Sequence, residues 1–373
     1  MERVQTKRNL GLDLLRMTAM WMVAILHVLG AGGVLSSAAP LSPDYETAWL
    51  LETSAYCAVN CYALLSGYVG LTGRFRYSNL ALLWCQAAVY TIGIPLAFAA
   101  VKPGSVGVWE IIRGFFPAMS NHYWYFTAYF AMFFFIPAFN FLVDRLERRQ
   151  MKAIAVSLVV LFSVLPTVFQ SDVAGIFPGD LFIEYGGYSP LWLAVLYILG
   201  AYARKYDLLA GVKWWKALGA YGLCVLVTWG EKWLVEGLRM RFLGEFIPGG
   251  ILVSYTSPTM LLAALALLAA FANLPIPKWA AKPIAFFAPL SFSVYLIHVH
   301  PLVWQYVMWG RFAAFGSYGT VKLAAYVLAA ALGIYLLCSL IDCMRAFLFR
   351  RLRLRQRLTN WEERRVGALW TDE

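Results

Sequence analysis

The stretch GLDLLRMTAMWMVAILHVLGAGGVL, residues 11–35, is long and apolar enough to cross a lipid bilayer as one helix. It nevertheless contains an arginine, Arg16, and a histidine, His27. Their separation of eleven positions corresponds to three helical turns plus about 20°, and to about 16 Å along the axis. Both side chains therefore fall on one face of the helix. Ionisable side chains are costly inside a bilayer and commonly mark a functional site.

The composition is that of a polytopic membrane protein. Of the 373 residues, 61% are hydrophobic and only 14% are charged, which argues against a soluble domain. No cleavable signal peptide is predicted, because the first apolar run is too long for one. Hydrophobic segments predict an all-α bundle of about ten transmembrane helices, at residues 10–34, 47–71, 79–101, 122–143, 152–169, 189–203, 216–235, 250–273, 284–309 and 320–344. We expect one membrane domain at 1–344 and a basic cytoplasmic tail at 345–373.

The formal net charge is +11, and the positions of the basic residues along the chain indicate how the protein is oriented in the membrane. With the N-terminus inside, 23 of the 31 lysines and arginines fall in the inner segments and five in the outer ones. This asymmetry predicts that both termini are cytoplasmic and that the protein is a multi-pass protein of the cytoplasmic membrane. The excess charge therefore suggests contact with membrane lipids and argues against nucleic-acid binding. The basic C-terminal run is expected on the inner leaflet, or else acts only as a topological anchor.

The first segments supply the candidate catalytic residues. A histidine ordinarily titrates near neutral pH, so His27 is a candidate to take a proton from a hydroxyl and return it; the alternative is a core histidine bonded between helices. Glu52 lies at a similar depth in the second segment and is expected to hold the imidazole tautomer, or else to face water at the span mouth. Arg16 either pairs with Asp13 or meets an anionic group that arrives from the cytoplasm.

Candidate binding residues lie near both predicted membrane surfaces. Ser66 begins a Ser-Gly-Tyr signature at the inner end of the second segment, and Arg74 and Arg76 follow it. Two arginines at the cytoplasmic end of the predicted bundle suit a phosphate-bearing ligand. The general enrichment of basic residues on the cytoplasmic side would, however, also place them there. On the outer side, aromatic rings form an interfacial belt, and some of them suit stacking on sugar faces. The candidates for substrate binding are His122, Trp124 and His298.

The cysteines do not predict a metal site. Cys57 and Cys61 are one helical turn apart, but no second pair or histidine cluster accompanies them. We therefore interpret the six cysteines as small buried hydrophobic residues and expect no metal.

In order along the chain, these motifs resemble the membrane acyltransferase-3 family. The resemblance covers essentially the whole chain and rests on Arg16 and His27 in the first segment, Ser66-Gly67-Tyr68 with the arginines after it, the WYF at 124–126 and the YLIH at 295–298. It implies a ten-helix enzyme that moves an acyl group, usually acetyl, from cytoplasmic acyl-CoA to a hydroxyl of an envelope glycan or its lipid-linked precursor. It also implies that His27 is essential, that Arg16 belongs to the same motif, and that Arg74 and Arg76 are needed for activity.

Two further hypotheses stay open at this point. An intramembrane arginine and histidine also suit a transporter or exporter of a glycan precursor, an amino acid or a lipid-linked precursor without acyl transfer. The third hypothesis is a non-catalytic subunit of an envelope assembly. In the enzyme hypothesis, His27 acts as a general base, or alternatively forms an acyl-histidine intermediate.

Overall fold

The computed structural model describes residues 8–120, 122–169, 182 and 185–365. The described residues form helices, turns and loops, with no strand among them, which confirms the predicted all-α class. The first eight helices are α1 (Leu10–Leu29), α2 (Val34–Ser37), α3 (Pro43–Tyr56), α4 (Ala58–Gly70), α5 (Tyr77–Val101), α6 (Val108–Gly114), α7 (Trp124–Phe133) and α8 (Ile136–Arg145).

The rest of the chain contains ten further α-helices and several short turns of other helical types. In order, these are α9 (Arg148–Val159), a π-helical turn (Val160–Val164), α10 (Leu165–Phe169), a 3₁₀ turn (Tyr185–Gly187), α11 (Pro190–Lys205), α12 (Trp214–Leu243), α13 (Pro258–Ala272), α14 (Lys278–Phe287), a 3₁₀ turn (Ala288–Leu290), α15 (Ser291–His298), α16 (Pro301–Val303), a π-helical turn (Trp304–Met308), a 3₁₀ turn (Ala313–Ser317), α17 (Thr320–Arg351) and α18 (Leu354–Arg365).

Each of the ten hydrophobic segments coincides with helix, but fewer helices qualify as membrane spans by length and composition. The described part of the chain contains five such spans, or six if the bent pair α7 and α8 is counted as one. Several segments fall short because the chain breaks within them. At Cys57, for example, the second segment divides into α3 of 14 residues and α4 of 13, each shorter than the roughly 20 residues a span needs. The prediction of ten spans is not confirmed, and the cytoplasmic position of both termini stays a prediction.

Helix α1 lies at the centre of the bundle. It packs against α3, α4, α13, α14, α15 and α17, and 13 of its 20 residues are buried. A helix that is apolar on nearly every face has to be covered by other helices or by lipid, and here other helices cover most of it. Asn9 caps its first turn by accepting hydrogen bonds from the backbone N–H groups of Gly11 and Leu12. The Asn9 amide also donates to Ala272 O at 3.0 Å, which fixes the start of α1 against the end of α13.

The glycine of the Ser-Gly-Tyr signature allows α4 and α11 to touch through their backbones. A Cβ on Gly67 would lie 1.9 Å from Tyr197 O, and a Cβ on Gly200 would lie 2.0 Å from Leu64 O. Neither distance is possible for a real side chain without moving one helix. Small residues at such crossings give the close packing that joins helices in a membrane.

The C-terminal residues fold back onto the bundle. Helix α17 continues without a break through residues 344 and 345, where the sequence predicts the start of the tail. Helix α18 packs on α5, and its Glu362 carboxylate accepts hydrogen bonds from Tyr77 N at 2.6 Å and Ser78 N at 3.1 Å. These two N–H groups belong to the first turn of α5 and have no partner within that helix, so Glu362 satisfies them. Residues 366–373 of the predicted tail lie outside the described residues.

Candidate active site

A cavity surrounded by basic groups opens beside the first turns of α1. This basic cavity has a volume of about 370 Å³ and is lined by Arg8, Asn9, Leu12, Asp13, Arg16, Tyr68, Val69, Thr72 and Arg204. The buried Asp13 carboxylate accepts hydrogen bonds from Arg8 and, at 2.7 Å, from Arg16. The Arg204 guanidinium lies over the Tyr68 ring, 5.3 Å from its centroid. Three guanidinium groups and one carboxylate leave an excess of positive charge, so the cavity suits an anion such as a phosphate group.

A second cavity surrounds His27 deeper in the bundle. This central cavity has a volume of about 40 Å³ and is lined by Met20, Val23, Leu26, His27, Val59, Tyr62, Trp124, Tyr125, Tyr255, Phe292 and Tyr295. Its walls are apolar and aromatic apart from the imidazole and the tyrosine hydroxyls. The volume accommodates a few water-sized groups, which is too little for a sugar ring.

One face of α1 contributes to both cavities. Leu12 and Arg16 line the basic cavity, whereas Met20, Val23 and His27 line the central one. From Leu12 to His27 these five residues are spaced four, four, three and four positions apart, a spacing that keeps them on one face of the helix. Arg16 and His27 therefore face cavities from one stripe, as their spacing predicts.

Tyr62 lies between the two cavities. Its ring lines the central cavity, and its hydroxyl donates a hydrogen bond of 2.7 Å to the backbone carbonyl of Arg16, whose side chain lines the basic cavity. The rings of Tyr125 and Tyr129 stack at a centroid distance of 6.3 Å beside it. Tyr62 therefore contacts the surroundings of both cavities.

His27 is hydrogen-bonded to a second histidine, and the bonding pattern defines its tautomer. Its Nδ1 lies 2.8 Å from His298 Nε2, while His298 Nδ1 is hydrogen-bonded to Val294 O. A carbonyl oxygen only accepts, so His298 Nδ1 carries a proton and the Nε2 of neutral His298 is an acceptor. Neutral His27 then donates from Nδ1, and its Nε2 keeps a free lone pair. Among the described residues, Nε2 has no hydrogen-bond partner.

Packing also restricts the orientation of the His27 ring. The Trp304 ring meets it edge-on, with centroids 4.9 Å apart. Together with the bond to His298, this contact limits rotation of the imidazole, because one side of the ring is packed and one nitrogen is bonded. A base that keeps one orientation reacts without a further entropic cost of ordering.

Glu52 does not occupy the position that the sequence predicts relative to His27. One of its carboxylate oxygens is buried without a hydrogen-bond partner, and no bond joins it to His27 in the described part of the chain. The predicted contact between Glu52 and the imidazole is not formed in this structure, because His298 occupies the Nδ1 position. The prediction used depth along the helix, and depth does not determine which neighbour a side chain meets.

Of the four predicted donor-binding residues, Ser66, Arg74 and Arg76 do not line the basic cavity. Ser66 Oγ donates to Tyr62 O at 2.9 Å within α4. Arg74 is exposed in the connection after α4, and Arg76 forms an ion pair of 3.0 Å with Glu363 of α18. Only Arg16 among the predicted donor-binding residues lines the basic cavity, and Arg8 and Arg204 accompany it there. Sequence reasoning counted these two arginines only as topological signals.

The predicted substrate-binding residues separate into two groups. Trp124 lines the central cavity, and His298 lies behind it as the partner of His27. His122 lies outside the lining; it is hydrogen-bonded to Ser120 and stacks on His300 at a centroid distance of 5.6 Å. The four histidines of the chain thus form two contacting pairs, of which one reaches the central cavity.

An aromatic rim adjoins the central cavity and consists of Trp124, Tyr188 and Tyr255. The Trp124 ring lies 4.5 Å from Tyr188 and 6.2 Å from Tyr255, measured between centroids. The Asn60 amide donates to Tyr255 O at 2.7 Å and accepts from Trp192 Nε1 at 3.0 Å, so it holds the loop that carries Tyr255. This buried amide joins three segments in the manner expected of a polar residue between membrane helices.

Comparison with known proteins identifies the family to which the chain belongs. The sequence model of a family described as an acyltransferase domain, the acyltransferase-3 family, matches residues 9–343, nearly the whole chain. The chain therefore belongs to this family, and the resemblance noted from its motifs is confirmed. No curated protein and no solved structure matches the chain significantly. Family membership and the apolar helices together support a multi-pass membrane acyltransferase, which uses an acyl donor and an acceptor.

Proposed function

We propose that the protein is an O-acyltransferase of the cytoplasmic membrane that transfers an acyl group, in particular acetyl, from cytoplasmic acyl-CoA to a hydroxyl of an envelope glycan or its lipid-linked precursor. The observation that carries the proposal is the hydrogen-bonded chain from Val294 O through His298 to His27. This chain leaves a lone pair on His27 Nε2 beside a cavity, which is the requirement for a general base.

The reaction can be written with these groups. His27 Nε2 accepts the proton of the acceptor hydroxyl as the hydroxyl oxygen attacks the thioester carbonyl. A carbon–oxygen bond forms, the carbon–sulfur bond breaks, and the CoA sulfur leaves with the proton that His27 returns. While His27 is protonated, its Nδ1 proton still donates to His298 Nε2, so the bond that orients the ring also supports the imidazolium. General acid–base catalysis of this kind contributes about 10²- to 10⁴-fold to a rate.

The basic cavity is the proposed site for the CoA phosphates. Arg8, Arg16 and Arg204 present guanidinium groups there, and Asp13 holds two of them in place. Arg16 and His27 are about 16 Å apart along α1, a distance that the flexible pantetheine arm has to bridge. Tyr62 lies on this route, so the arm reaches His27 only when Tyr62 moves aside.

The acceptor is proposed to approach the aromatic rim at the other side of His27. The central cavity is too small for a sugar ring, so only the reacting hydroxyl enters while the ring stacks on Trp124 or Tyr255. The exposed ring of Tyr188 extends this surface outward. Under the predicted orientation, with the start of α1 in the cytoplasm, the donor and the acceptor enter from opposite membrane surfaces.

The test uses the purified full chain in liposomes, with radiolabelled acetyl-CoA and an envelope glycan fraction as acceptor. His27→Gln is expected to lower acyl transfer by about 10²- to 10⁴-fold while CoA binding is retained. His300→Gln is the matched control, because this buried histidine lies outside the central cavity and its variant should stay within a few fold of wild type. Equal transfer by wild type and His27→Gln would exclude the proposed base, and glycan movement without acyl-CoA would favour the transporter.

The donor site has its own test. The double variant Arg8→Gln/Arg204→Gln should raise the KM for acyl-CoA, because it removes two of three cavity arginines, with little effect on the KM for the acceptor. Arg74→Gln/Arg76→Gln removes the same charge from arginines outside the cavity. A larger KM increase in this second variant would show that the phosphates bind at the connection after α4, as the sequence resemblance implies.

A further inference from the structure

A large groove with arginines along one side lies where α17 turns into α18. It has a volume of about 960 Å³, and helices α5 and α14 form its other walls. It opens at the same end of the bundle as the basic cavity. Thr72 lines that cavity, and Tyr77, five residues later, is bonded through its backbone N–H to Glu362 of α18. The two linings share no residue.

Within the described residues, three of the four arginines in the groove have no acidic partner. Arg345 is neutralised by the buried Asp342 carboxylate through hydrogen bonds of 2.7 and 2.6 Å. The other three are exposed and form no ion pair among the residues that the structure describes, and we call them the groove arginines: Arg350, Arg353 and Arg355. They are held on one rim by the sharp turn between the helices, where Arg353 has a φ of +48°.

Contacts on both sides of the turn keep this rim in place. Glu362 caps the first turn of α5, and Glu363 forms an ion pair with Arg76. Asp342 accepts from Tyr90 of α5 as well as from Arg345, so α17 is fixed to the same helix. The groove arginines therefore belong to a formed surface and not to a free tail.

The opposite walls of the groove are apolar apart from Gln86 of α5. They comprise Leu82 of α5, Phe286 of α14 and the Pro289–Leu290 turn, with Phe347 of α17 beside the arginines. Phe286 and Phe347 are 54% and 63% exposed, although both are large hydrophobic residues. A ligand that covers them needs an apolar part, and a ligand that satisfies three guanidinium groups needs a phosphate or a similar anion.

From this combination we infer that the groove binds one anionic phospholipid of the adjoining leaflet. The lipid phosphate and headgroup contact the groove arginines, whose planar forks match phosphate oxygens, and an acyl chain lies along Phe286 and Leu82. A lipid satisfies both requirements at once, since it carries its anion next to its hydrocarbon. The inference does not depend on the acyltransferase chemistry, because it involves no residue of either cavity.

The experiment is native mass spectrometry of the full chain in detergent micelles, titrated with phosphatidylglycerol and separately with phosphatidylcholine. In micelles without charged detergent or lipid, the basic protein is not attracted nonspecifically to an anionic bilayer surface. A lipid that stays bound therefore indicates a specific site. Wild type should retain one phosphatidylglycerol at least about tenfold more tightly than phosphatidylcholine, since each basic residue near an anionic headgroup contributes about fivefold. Replacing all three groove arginines with glutamine should abolish this preference.

The matched control removes the same charge from the same segment. Arg351, Arg357 and Arg364 are exposed arginines of α17 and α18 that do not line the groove, and the triple glutamine variant at these positions should bind within about threefold of wild type. Equal losses in the two triple variants would overturn the inference in favour of diffuse attraction by the basic tail.

Two further measurements complete the test. If the triple groove variant does not fold, Arg355→Gln alone should weaken phosphatidylglycerol binding about fivefold, and no change would count against the site. Free CoA should not displace the lipid. Displacement by CoA would identify the groove as a donor site instead, and it would then contradict both this inference and the proposed role of the basic cavity.

Discussion

The hydrogen bond between His27 and His298 makes a quantitative prediction. His298→Ala removes the acceptor for His27 Nδ1–H, so the ring loses the contact that defines its tautomer and supports its positive charge during the reaction. A hydrogen bond to a charged group is worth about 1.5–3 kcal/mol, and about 1.4 kcal/mol corresponds to a tenfold change in rate. We therefore expect kcat to fall about 10- to 150-fold, with KM for acyl-CoA changed much less because the basic cavity is untouched.

Two companion variants separate this role from simple packing. The amide oxygen of His298→Gln can accept the Nδ1 proton of His27, so this variant should retain more activity than His298→Ala. The double variant His27→Ala/His298→Ala should be no slower than His27→Ala alone, since His298 acts only through His27.

The assay is steady-state acyl transfer by the purified variants in liposomes, with thermal unfolding as a check on folding. Full activity in His298→Ala would refute the reasoning. The reasoning would also be refuted if the loss of activity in the double variant equalled the product of the losses in the two single variants. That result would mean that the two histidines act independently.

Three further predictions concern the walls of the site and the helix packing behind it. Tyr255→Ala should raise the KM for the acceptor and leave the KM for acyl-CoA unchanged in the same transfer assay, because it removes one ring of the aromatic rim. Glu52→Gln should lower kcat by less than His298→Ala does, since Glu52 is not bonded to His27; a larger loss would restore Glu52 as the residue that orients the base. Gly200→Ala should destabilise the protein by about 1–3 kcal/mol in an unfolding measurement, because its Cβ would overlap α4. Gly219→Ala, with nothing within 4 Å of the new Cβ, should not.

Features that depend on local sequence could be predicted well. The helices follow from ten apolar segments, and the shared face of Arg16 and His27 follows from fixed helical geometry. The break at Cys57 carries no such signal. The segment around it contains the polar residues Glu52, Thr53, Ser54 and Asn60, but neither proline nor glycine stands where the helix ends. Counting apolar segments therefore gave more spans than the lengths of the individual helices support.

Features that depend on how helices rotate against one another could not be predicted. The depth of Glu52 suggested a contact with His27, but contact also requires that the two side chains face each other across the helix pair. His298 is 271 residues from His27 in the chain, and only the packing of α15 against α1 brings them together. Arg204 was ambiguous for a different reason, because an arginine at the inner end of a span has the same sequence signal whether it anchors the helix or lines a cavity.

The position of Tyr62 suggests an order for the proposed reaction, in which the donor enters and Tyr62 is then displaced. In the proposed mechanism, a permanently open channel between α1 and α4 would allow water and ions to follow the donor arm. We therefore propose that Tyr62, bonded to the Arg16 carbonyl, closes this route when the donor is absent. If the CoA phosphates bind at Arg16 as proposed, they change the surroundings of that same residue, so entry of the arm and displacement of Tyr62 involve one short segment of α1. The variant Tyr62→Phe loses this hydrogen bond but keeps the ring. On this reasoning, the route between the two cavities should open more readily in the variant than in wild type. We expect it to increase hydrolysis of acyl-CoA in the absence of acceptor relative to wild type, as measured by release of free CoA. A hydrolysis rate equal to that of wild type would mean that the hydroxyl does not hold the route closed.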